Sequence, residues 1–379
     1  MVRILHTADW QLGMPFVWAG PQAHRLCEAR FEAAVRLVEL AHRERVDFVL
    51  LAGDTFDGSA VDDEVVRRAV ALLGDLAPVP VYVLPGNHDP LTADAVWARQ
   101  SWSRRAAHVH LCTETAPLRI RDDVELLPCP LGQKVSRVDP TAWIVPPAAR
   151  GPIRIGLAHG ALDVLGQRGN FPIAADRADR GALDYLALGD WHGFRRHGRA
   201  AYSGTIEPAS FDERDAGHAV LVQLDAPAAP PQVCPVATRS LTWLSLDQSV
   251  QDVTDVSRLE QRIEQAGTAP ESLVLRVRLV FEHEAPEAAL SAADVLQEML
   301  RERVLLLDWH ADAEQLSVAR AADAPDDRLL AAVDEALAQL ASGAALRPPA
   351  DQFGGADPET ARAARALLHR LVRRSAACT

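Results

Sequence analysis

The sequence predicts a layered α/β fold, and two observations support this. In the first third of the chain, apolar segments of strand length alternate with amphipathic segments of helix length, an order typical of sheets covered by helices. The strand segments are also continuously apolar, as at residues 46–52, which is the pattern of strands buried on both faces. A chain of 379 residues exceeds the size at which one hydrophobic core keeps growing, so we expect two or three domains.

The first domain, residues 1–225, is predicted to hold most of the strands. Its strands are expected at residues 4–8, 46–52, 79–84, 109–112, 118–120, 124–128, 153–158, 183–188 and 220–224. A helix is predicted over residues 25–45, where Phe31, Val35 and Val38 recur at helical spacing. A second is predicted over residues 62–76, with Asp62 placed for its N-terminus.

Beyond residue 225 the pattern becomes that of a smaller α+β cap domain followed by a helical tail. The proline-rich run at 226–231 is interpreted as a turn or short linker. Apolar residues alternate with arginines over residues 275–281, which predicts a half-exposed strand. A helix is expected at 294–301 and a partner strand at 304–307.

The domain boundaries that follow are 1–225, 235–322 and 325–379. The tail should contain helices at 326–340 and 358–374. An apolar stripe on the first of these either packs on this chain or docks a partner; it consists of Leu329, Val333, Leu337 and Leu340.

Composition narrows the classes of function. The net charge of −13 argues against a broad non-specific nucleic-acid surface, because neutralising phosphates requires clustered cations, but it leaves room for a local basic path. Lys134 is the only lysine, so the basic residues are almost all arginine, which suits bidentate phosphate contacts. No run of about eighteen uncharged apolar residues appears. The N-terminus enters a strand without a signal peptide pattern, and we expect a cytoplasmic protein that does not associate with membranes.

Side chains that bind metals follow five of the predicted strands. They are Asp9, Asp54, the pair Asn87 and His88, His159, and Asp190 with His192. Ligands bind at the carboxyl ends of strands in open α/β sheets, so these groups should converge. Oxygen and imidazole ligands from separate strand ends suit a pair of divalent cations, which a bridging carboxylate holds roughly 3.5–4 Å apart. Each residue taken singly could instead cap a helix, shape a turn or pack in a core; the ordered set favours a metal site. His6 is expected to be a hydrogen-bonded packing residue.

Together, these five motifs resemble the signatures of the calcineurin-like metallophosphoesterases. That family's fold is a sandwich of two central β-sheets flanked by helices. Three segments, LHTADWQLG, GDTFD and YSGTIEPASFDE, resemble the SbcD-type DNA repair exonucleases within it. The likeness covers about residues 1–225, and the later domain and tail resemble that family in layout alone.

The resemblance implies a role for each residue of the site. Seven residues would bind two metals. The first metal would be bound by Asp9, Gln11 and His192, and the second by Asn87, His159 and Asp190. Asp54 would bind both. His88 would protonate the leaving oxygen or stabilise the charge of the transition state, and Asp89 would orient it. A water molecule acidified by the metals would attack the phosphodiester in line.

The sequence departs from the family pattern at two ligand positions. Gln11 and Asp190 stand where histidines are usual. Replacing two imidazoles by oxygen ligands shifts a site toward Mn²⁺ or Mg²⁺ and away from Zn²⁺. We therefore expect an active, Mn²⁺-preferring site whose first metal is weakly held; the alternative is that one metal site has decayed and the protein hydrolyses nothing.

Several arginines lie close in sequence to the metal motifs. Arg195, Arg196 and Arg199 follow the last motif, and Arg25 follows the first. They are candidates for contacts with a nucleic-acid phosphate backbone, and a solvated surface is the competing interpretation.

Three functions fit the sequence. The first is a DNA nuclease of repair or processing, exonuclease or endonuclease, which by resemblance would work with an SMC-like coiled-coil ATPase of the SbcC type and could form a homodimer. The second is a phosphatase or phosphodiesterase acting on nucleotides or small phosphoesters, which the acidic net charge favours. The third is a non-hydrolytic scaffold subunit, which the departures at Gln11 and Asp190 suggest.

Overall fold

The structure is a computed structural model that describes residues 1–149, 151–163, 169–281 and 286–311, with isolated positions at 334, 337, 338, 364 and 365. The chain divides into two compact units, Met1–Trp243 and Leu244–Thr379. The first unit is longer than the 1–225 expected from the sequence, because a further strand joins its sheet. The predicted tail helices at 326–340 and 358–374, with their apolar stripe, fall almost wholly outside the described residues.

The described strands are β1 (Val2–Thr7), β2 (Phe48–Ala52), β3 (Val81–Leu84), β4 (Val109–Leu111), β5 (Leu118–Arg121), β6 (Val124–Cys129), β7 (Ile153–His159), β8 (Leu162–Asp163), β9 (Ile173–Ala174), β10 (Tyr185–Gly189), β11 (Arg195–His197), β12 (Ala200–Tyr202), β13 (His218–Leu224), β14 (Gln232–Ala237), β15 (Thr242–Val250), β16 (Leu273–Phe281) and β17 (Leu306–Ala311). The α-helices are α1 (Ala23–Glu44), α2 (Asp63–Gly74), α3 (Gln100–Ser103), α4 (Arg177–Arg180), α5 (Val253–Gln265) and α6 (Glu287–Arg303). Short 3₁₀ helices span Val17–Gln22, Val96–Ala98 and Pro270–Ser272.

Two six-stranded mixed sheets form the first unit. The first has the order β14-β13-β1-β2-β3-β4, and its strands β1 to β4 are parallel. The second has the order β11-β12-β10-β7-β6-β5, and β6, β7, β10 and β12 are parallel. This is the layered α/β fold that the sequence predicts, so the fold class is confirmed.

The apolar strands are buried on both faces, as their composition predicts. In β2, Phe48 and Leu50 face a core shared with residues of the second sheet such as Ile155. Val49 and Leu51 alternate with them and pack beneath the first two helices. Successive strand residues point to opposite faces, so one continuous apolar run serves two cores. The result is a sandwich whose strand ends are held rigidly.

Helix α1 buries Phe31 and Val38 of the predicted stripe, but Val35 faces solvent and Arg30 is buried. Val35 is 43% exposed, whereas Arg30 is 1% exposed and lies among the core residues. The Arg30 guanidinium donates from Nη1 to the carbonyl of Trp10 at 2.8 Å and to Thr205 Oγ1 at 3.2 Å. An arginine is seldom buried without partners, and these two lie in segments far from α1 in sequence.

His6 joins the two sheets through buried hydrogen bonds. Its Nε2 donates to the carbonyl of Leu188 at 3.2 Å, and its Nδ1 lies 2.8 Å from the hydroxyl of Tyr185. These partners belong to β10 of the second sheet, whereas His6 belongs to β1. The expectation that His6 is a packing residue is confirmed by this geometry. Burial lowers the pKa of His6 to about 3, against a weaker opposing effect of the Leu188 carbonyl.

Acidification should therefore weaken the fold through His6. The unfolded chain takes up a proton at this histidine below about pH 6.5 while the folded one does not. The stabilisation is fully present above that pH and falls with a slope of up to about 1.4 kcal/mol per pH unit as the pH drops toward 3. Urea unfolding across this range should show a shallower pH dependence for His6→Gln than for wild type. Replacing the exposed His42 in the same way serves as the control, and identical slopes for wild type and His6→Gln would contradict the prediction.

The second unit is a small α+β domain. Its sheet has the order β15-β16-β17, and β16 and β17 run parallel. Leu275, Val277 and Leu279 of β16 pack against α5 and α6, while the intervening Arg278 is exposed. The sequence pattern does not predict helix α5. Asp252 caps the N-terminus of this helix, and its side chain accepts a hydrogen bond from the Thr254 amide at 2.7 Å. None of the helices in the described part of the chain is both long and apolar enough to cross a lipid bilayer.

Candidate metal centre

The ends of β1, β2, β3, β7 and β10 bring the predicted ligands to one place. One ligand atom from each of Asp9, Asp54 and His159 lies within 4.8 Å of the others, and all three residues are buried. Asp190 lies at the same point, because its amide donates to the Asp9 carboxylate at 3.1 and 3.2 Å. These contacts connect the first sheet to the second.

The loops that carry these residues are strained. Asp9, Gln11, Asp54 and Asp190 all have positive φ, at 52°, 42°, 52° and 100°. Residues other than glycine seldom adopt such values, which cost on the order of 1–3 kcal/mol each. Backbone hydrogen bonds fix the first two loops together, with the Asp9 amide donating to the Gly53 carbonyl at 3.1 Å. Four of the ten non-glycine residues with positive φ in the described part of the chain are thus polar residues of this cluster.

Two glycines allow the close approach of these loops. A side chain at Gly86 would collide with Oδ1 and the backbone amide of Asp54. A side chain at Gly53, whose φ is +94°, would collide with the ring of His159. Both positions therefore require glycine so that the carboxylate and the imidazole can lie side by side.

His159 is oriented as a metal-binding histidine is. Its Nδ1 donates to the Ala52 carbonyl at 2.9 Å, which leaves Nε2 facing Asn87 Oδ1 at 2.8 Å and Asp54 Oδ2 at 3.4 Å. Nε2 is 3.9 Å from Asp190 Oδ1. Histidines that bind metals usually donate their other ring N–H to a carbonyl or carboxylate in this way. Three oxygen ligands thus surround one imidazole nitrogen.

A second group forms around His192. Its Nδ1 lies 2.6 Å from Glu213 Oε1, and its Nε2 lies 3.3 Å from the Gln11 amide nitrogen. Gln11 is 2% exposed, and its Oε1 has no hydrogen-bond partner among the described residues. A buried amide oxygen without a partner costs free energy that a cation would recover. Gln11 is therefore placed beside His192 with an oxygen to offer.

His88 and Asp89 are arranged differently from the sequence expectation. The His88 Nδ1 donates to the backbone carbonyl of Asp57 at 3.0 Å, and its side chain is 41% exposed. The Asp89 carboxylate accepts from the amides of Phe56 at 3.0 Å and Gly86 at 2.7 Å. Asp57 rather than Asp89 thus orients His88, because the buried Asp89 carboxylate is taken up in holding the two loops together.

Burial and mutual proximity shift the acidities in this cluster. Burial raises the pKa of Asp9 to about 7, against the opposing effect of His159 and His192. Burial opposes ionisation of Asp54 as well, but His159 and the hydrogen bonds of His159 and His88 lower the pKa of Asp54 overall. Burial raises the pKa of Asp190. Carboxylates crowded in a buried site need compensating positive charge, which divalent cations supply.

The four arginines predicted to contact nucleic acid lie in different surroundings. Arg195 is exposed and lines a pocket with Asp190. Arg196 donates to the Pro231 carbonyl, and Arg199 donates to the carbonyls of Ala228 at 2.7 Å and Ala229 at 2.8 Å. Arg25 pairs with Glu32 at 3.2 Å. Among these four, Arg195 is placed beside the candidate ligands.

Sequence reasoning does not single out Glu213 or Trp191 as parts of the site, and it leaves Arg30 open as either a phosphate contact or part of a solvated helix face. Glu213 lies in the YSGTIEPASFDE segment, and only its distance to His192 reveals its place in the site. The sequence around Arg30 is equally typical of a solvated helix face. Trp191 is 53% exposed. Its position between Asp190 and His192 in the sequence is a signal that could have pointed to it.

The chain is similar to known proteins. A family model described as calcineurin-like phosphoesterase matches residues 2–194. A protein of Rhodobacter capsulatus named as a subunit of the nuclease SbcCD is 30% identical over 282 residues, which cover 60% of this chain and 68% of that protein. The corresponding protein of Bacillus subtilis is 33% identical over 91 residues, 23% of this chain and 22% of that protein.

Other relatives extend this picture. YhaO of Bacillus subtilis, named as an uncharacterized metallophosphoesterase, is 28% identical over 212 residues, 50% of this chain and 48% of YhaO. The match therefore spans about half the length of that relative. Among solved structures, TT1561 of Thermus thermophilus matches with a TM-score of 0.40 and 15% identity, covering 63% of this chain and 99% of that one.

Proposed function

We propose that this chain, which belongs to the calcineurin-like phosphoesterase family, is a Mn²⁺-dependent phosphodiesterase that acts on DNA. The observation that carries the proposal is the convergence of Asp9, Asp54 and His159 within 4.8 Å at the ends of three strands. Its relatives in Rhodobacter capsulatus and Bacillus subtilis that are named as nuclease subunits support the choice of DNA.

The residues present fit two divalent cations. One cation would be held by Asp9, His192 and the Oε1 of Gln11, which has no hydrogen-bond partner among the described residues. The other would be held by Asn87, His159 and Asp190. Asp54 would contribute to both. Cations bound there would acidify a water molecule and neutralise the charge of the phosphodiester.

The chain's own residues supply the rest of the chemistry. The Asp57 carbonyl accepts from Nδ1 of His88, so in the imidazolium form of this histidine Nε2 carries the proton that can be given to the departing oxygen. The buried Asp89 carboxylate fixes the loop that carries His88. Glu213 fixes the tautomer of His192.

The donor set favours Mn²⁺ over Zn²⁺. Five of its seven residues offer an oxygen atom. Two of these five, Gln11 and Asp190, stand at the positions that depart from the family pattern. Hard oxygen ligands suit Mn²⁺ and Mg²⁺, whereas Zn²⁺ prefers softer nitrogen and sulfur ligands. Calorimetric titration should show binding of Mn²⁺ at two sites of unequal affinity. Tight binding of Zn²⁺ with negligible binding of Mn²⁺ would contradict this preference.

The substrate is tested by incubating the protein with labelled single-stranded and double-stranded DNA in Mn²⁺. We expect degradation by the wild type and none after chelation with EDTA. A small phosphomonoester tested in parallel addresses the alternative that the protein hydrolyses nucleotides or small phosphoesters. Binding of Mn²⁺ without any hydrolysis would favour the alternative of a non-hydrolytic scaffold subunit. Association with a coiled-coil ATPase of the SbcC type and with a second copy remains part of the proposal. Co-purification with a co-expressed ATPase of this type tests the first, and analytical ultracentrifugation tests the second.

Replacing Glu213 by Gln should weaken metal binding without removing a ligand. The amide oxygen can still accept from His192 Nδ1, but it lacks the negative charge that makes the imidazole a stronger ligand, and such changes typically cost about 10- to 100-fold in metal affinity. Titration of Mn²⁺ into the variant measures the loss. Asp212→Asn, at a neighbouring carboxylate, is the matched control. Equal affinities for wild type and Glu213→Gln would show that Glu213 does not support the site.

A further inference from the structure

The ring of Trp191 is exposed at the edge of the candidate metal centre. It lies between Asp190 and His192 in sequence and is 53% exposed, whereas Trp10 and Trp102 are fully buried. Leaving so large an apolar surface in water gives up stabilisation that burial would provide. Trp191 therefore presents an aromatic face to solvent between two candidate ligands, where a bound substrate would cover it.

A pocket of about 190 Å³ opens beside this ring. Its lining includes Leu188, Asp190, Trp191, Arg195, His197 and Tyr202. A cavity of roughly 150 Å³ is large enough to hold benzene, so this pocket can take a planar six-membered ring. The lining combines an aromatic face with polar groups, which is typical of sites for small aromatic ligands.

The walls of the pocket are built from ordered elements. Arg195 lies on β11 directly opposite Tyr202 of β12, and its guanidinium is 5.8 Å from the centre of the Trp191 ring. This cation–π contact holds the ring and places a positive charge at the rim. Tyr202 is fixed from behind, because its hydroxyl donates to the Gly160 carbonyl at 2.8 Å.

We infer that Trp191 and the pocket beside it bind one nucleobase of the substrate strand, next to the phosphodiester that is cleaved. Every base has a π face, so stacking on an aromatic ring gives affinity without sequence specificity. It also needs no broad cationic surface, which agrees with the net charge of −13. Arg195 contacts the phosphate that adjoins the stacked base. This inference rests on the proposed nuclease function and names the part of the substrate that the site recognises.

The test compares two labelled single strands of equal length, oligothymidylate and the same backbone with abasic residues, both in Mn²⁺. Wild type should cleave the thymidylate strand with the higher kcat/KM. Trp191→Ala should lower kcat/KM for that strand by roughly 5- to 150-fold and should leave the abasic strand almost unchanged. Trp191→Phe should retain most of the preference, and Trp18→Ala, at another exposed tryptophan, should retain all of it.

The ratio between the two strands separates stacking from damage to the metal site. Because Trp191 adjoins Asp190 and His192, a displaced ligand would slow cleavage of both strands equally and leave their ratio intact. An unchanged ratio in Trp191→Ala, or a wild type that cleaves both strands with equal efficiency, would overturn the inference and leave the nuclease proposal standing. A wild type that cleaves neither strand would overturn the inference, and one that also leaves double-stranded DNA intact would overturn the nuclease proposal as well.

Discussion

Replacing Asp54 by Asn is expected to lower the rate of phosphodiester hydrolysis by at least about 10³-fold, or roughly 4 kcal/mol in the activation free energy. Asp54 faces His159 Nε2 through Oδ2 at 3.4 Å and accepts the His88 amide through Oδ1 at 2.9 Å. Asparagine keeps the shape and the acceptor for that amide. It removes the negative charge that both cations would share, so we expect neither cation to be held as tightly.

Two measurements establish the Asp54 prediction. Initial rates on labelled DNA give the loss of activity, and titration of Mn²⁺ gives the loss of affinity. Asp75→Asn, at an exposed carboxylate at the end of α2, is the control for a change of charge alone. A variant that binds Mn²⁺ normally and cleaves DNA at the wild-type rate would show that Asp54 is not the bridging ligand.

Replacing His88 by Asn should slow the cleavage of DNA by roughly 10²- to 10⁴-fold, the usual contribution of a general acid. The His88 side chain is half exposed, and Asp57 engages one of its ring nitrogens, so the other can reach a substrate. Because His88 contributes its backbone amide, and not its side chain, to Asp54, metal binding should be unaffected.

The leaving group provides the sharper test of His88. A p-nitrophenolate ion departs without a proton, so the loss of a general acid should matter little for a p-nitrophenyl phosphodiester. The variant should therefore be strongly impaired on DNA and only weakly impaired on the nitrophenyl substrate. Equal impairment on the two would indicate that His88 stabilises the charge of the transition state. His24→Ala, at an exposed histidine, is the control.

The buried strands that carry the site are predicted from the sequence, whereas two exposed edge strands are missed. β1, β2, β3, β7 and β10 are almost wholly buried, and each is expected from the sequence within two residues of its observed ends. β11 and β14 lie at the edges of their sheets, with exposed residues such as Arg195 and a proline at position 235. Edge strands need no apolar pattern, so their sequences look like loops. The run at 226–231 accordingly resembles a linker, although it joins two strands of one sheet.

The partners of individual polar residues depend on the packing of distant segments. Gln11 and His192 are separated by 181 positions, and Asp57, rather than the neighbouring Asp89, engages His88. Arg199 follows the last metal motif closely, yet its guanidinium binds the carbonyls of the turn before β14. Such contacts depend on strand register and on the φ values of the loops.

The sequence by itself determined the layered fold and the strand ends at which the polar residues of the site gather. Both depend on local patterns, namely apolar runs and the residues that end them, so they can be recognised without knowing the contacts. Only the tertiary structure decided that Glu213 fixes His192, that Arg30 is buried behind the Asp9 loop, and that Trp191 is exposed beside Asp190. These features arise where two sheets and their loops meet, because the environment of a side chain there is set by segments remote in sequence.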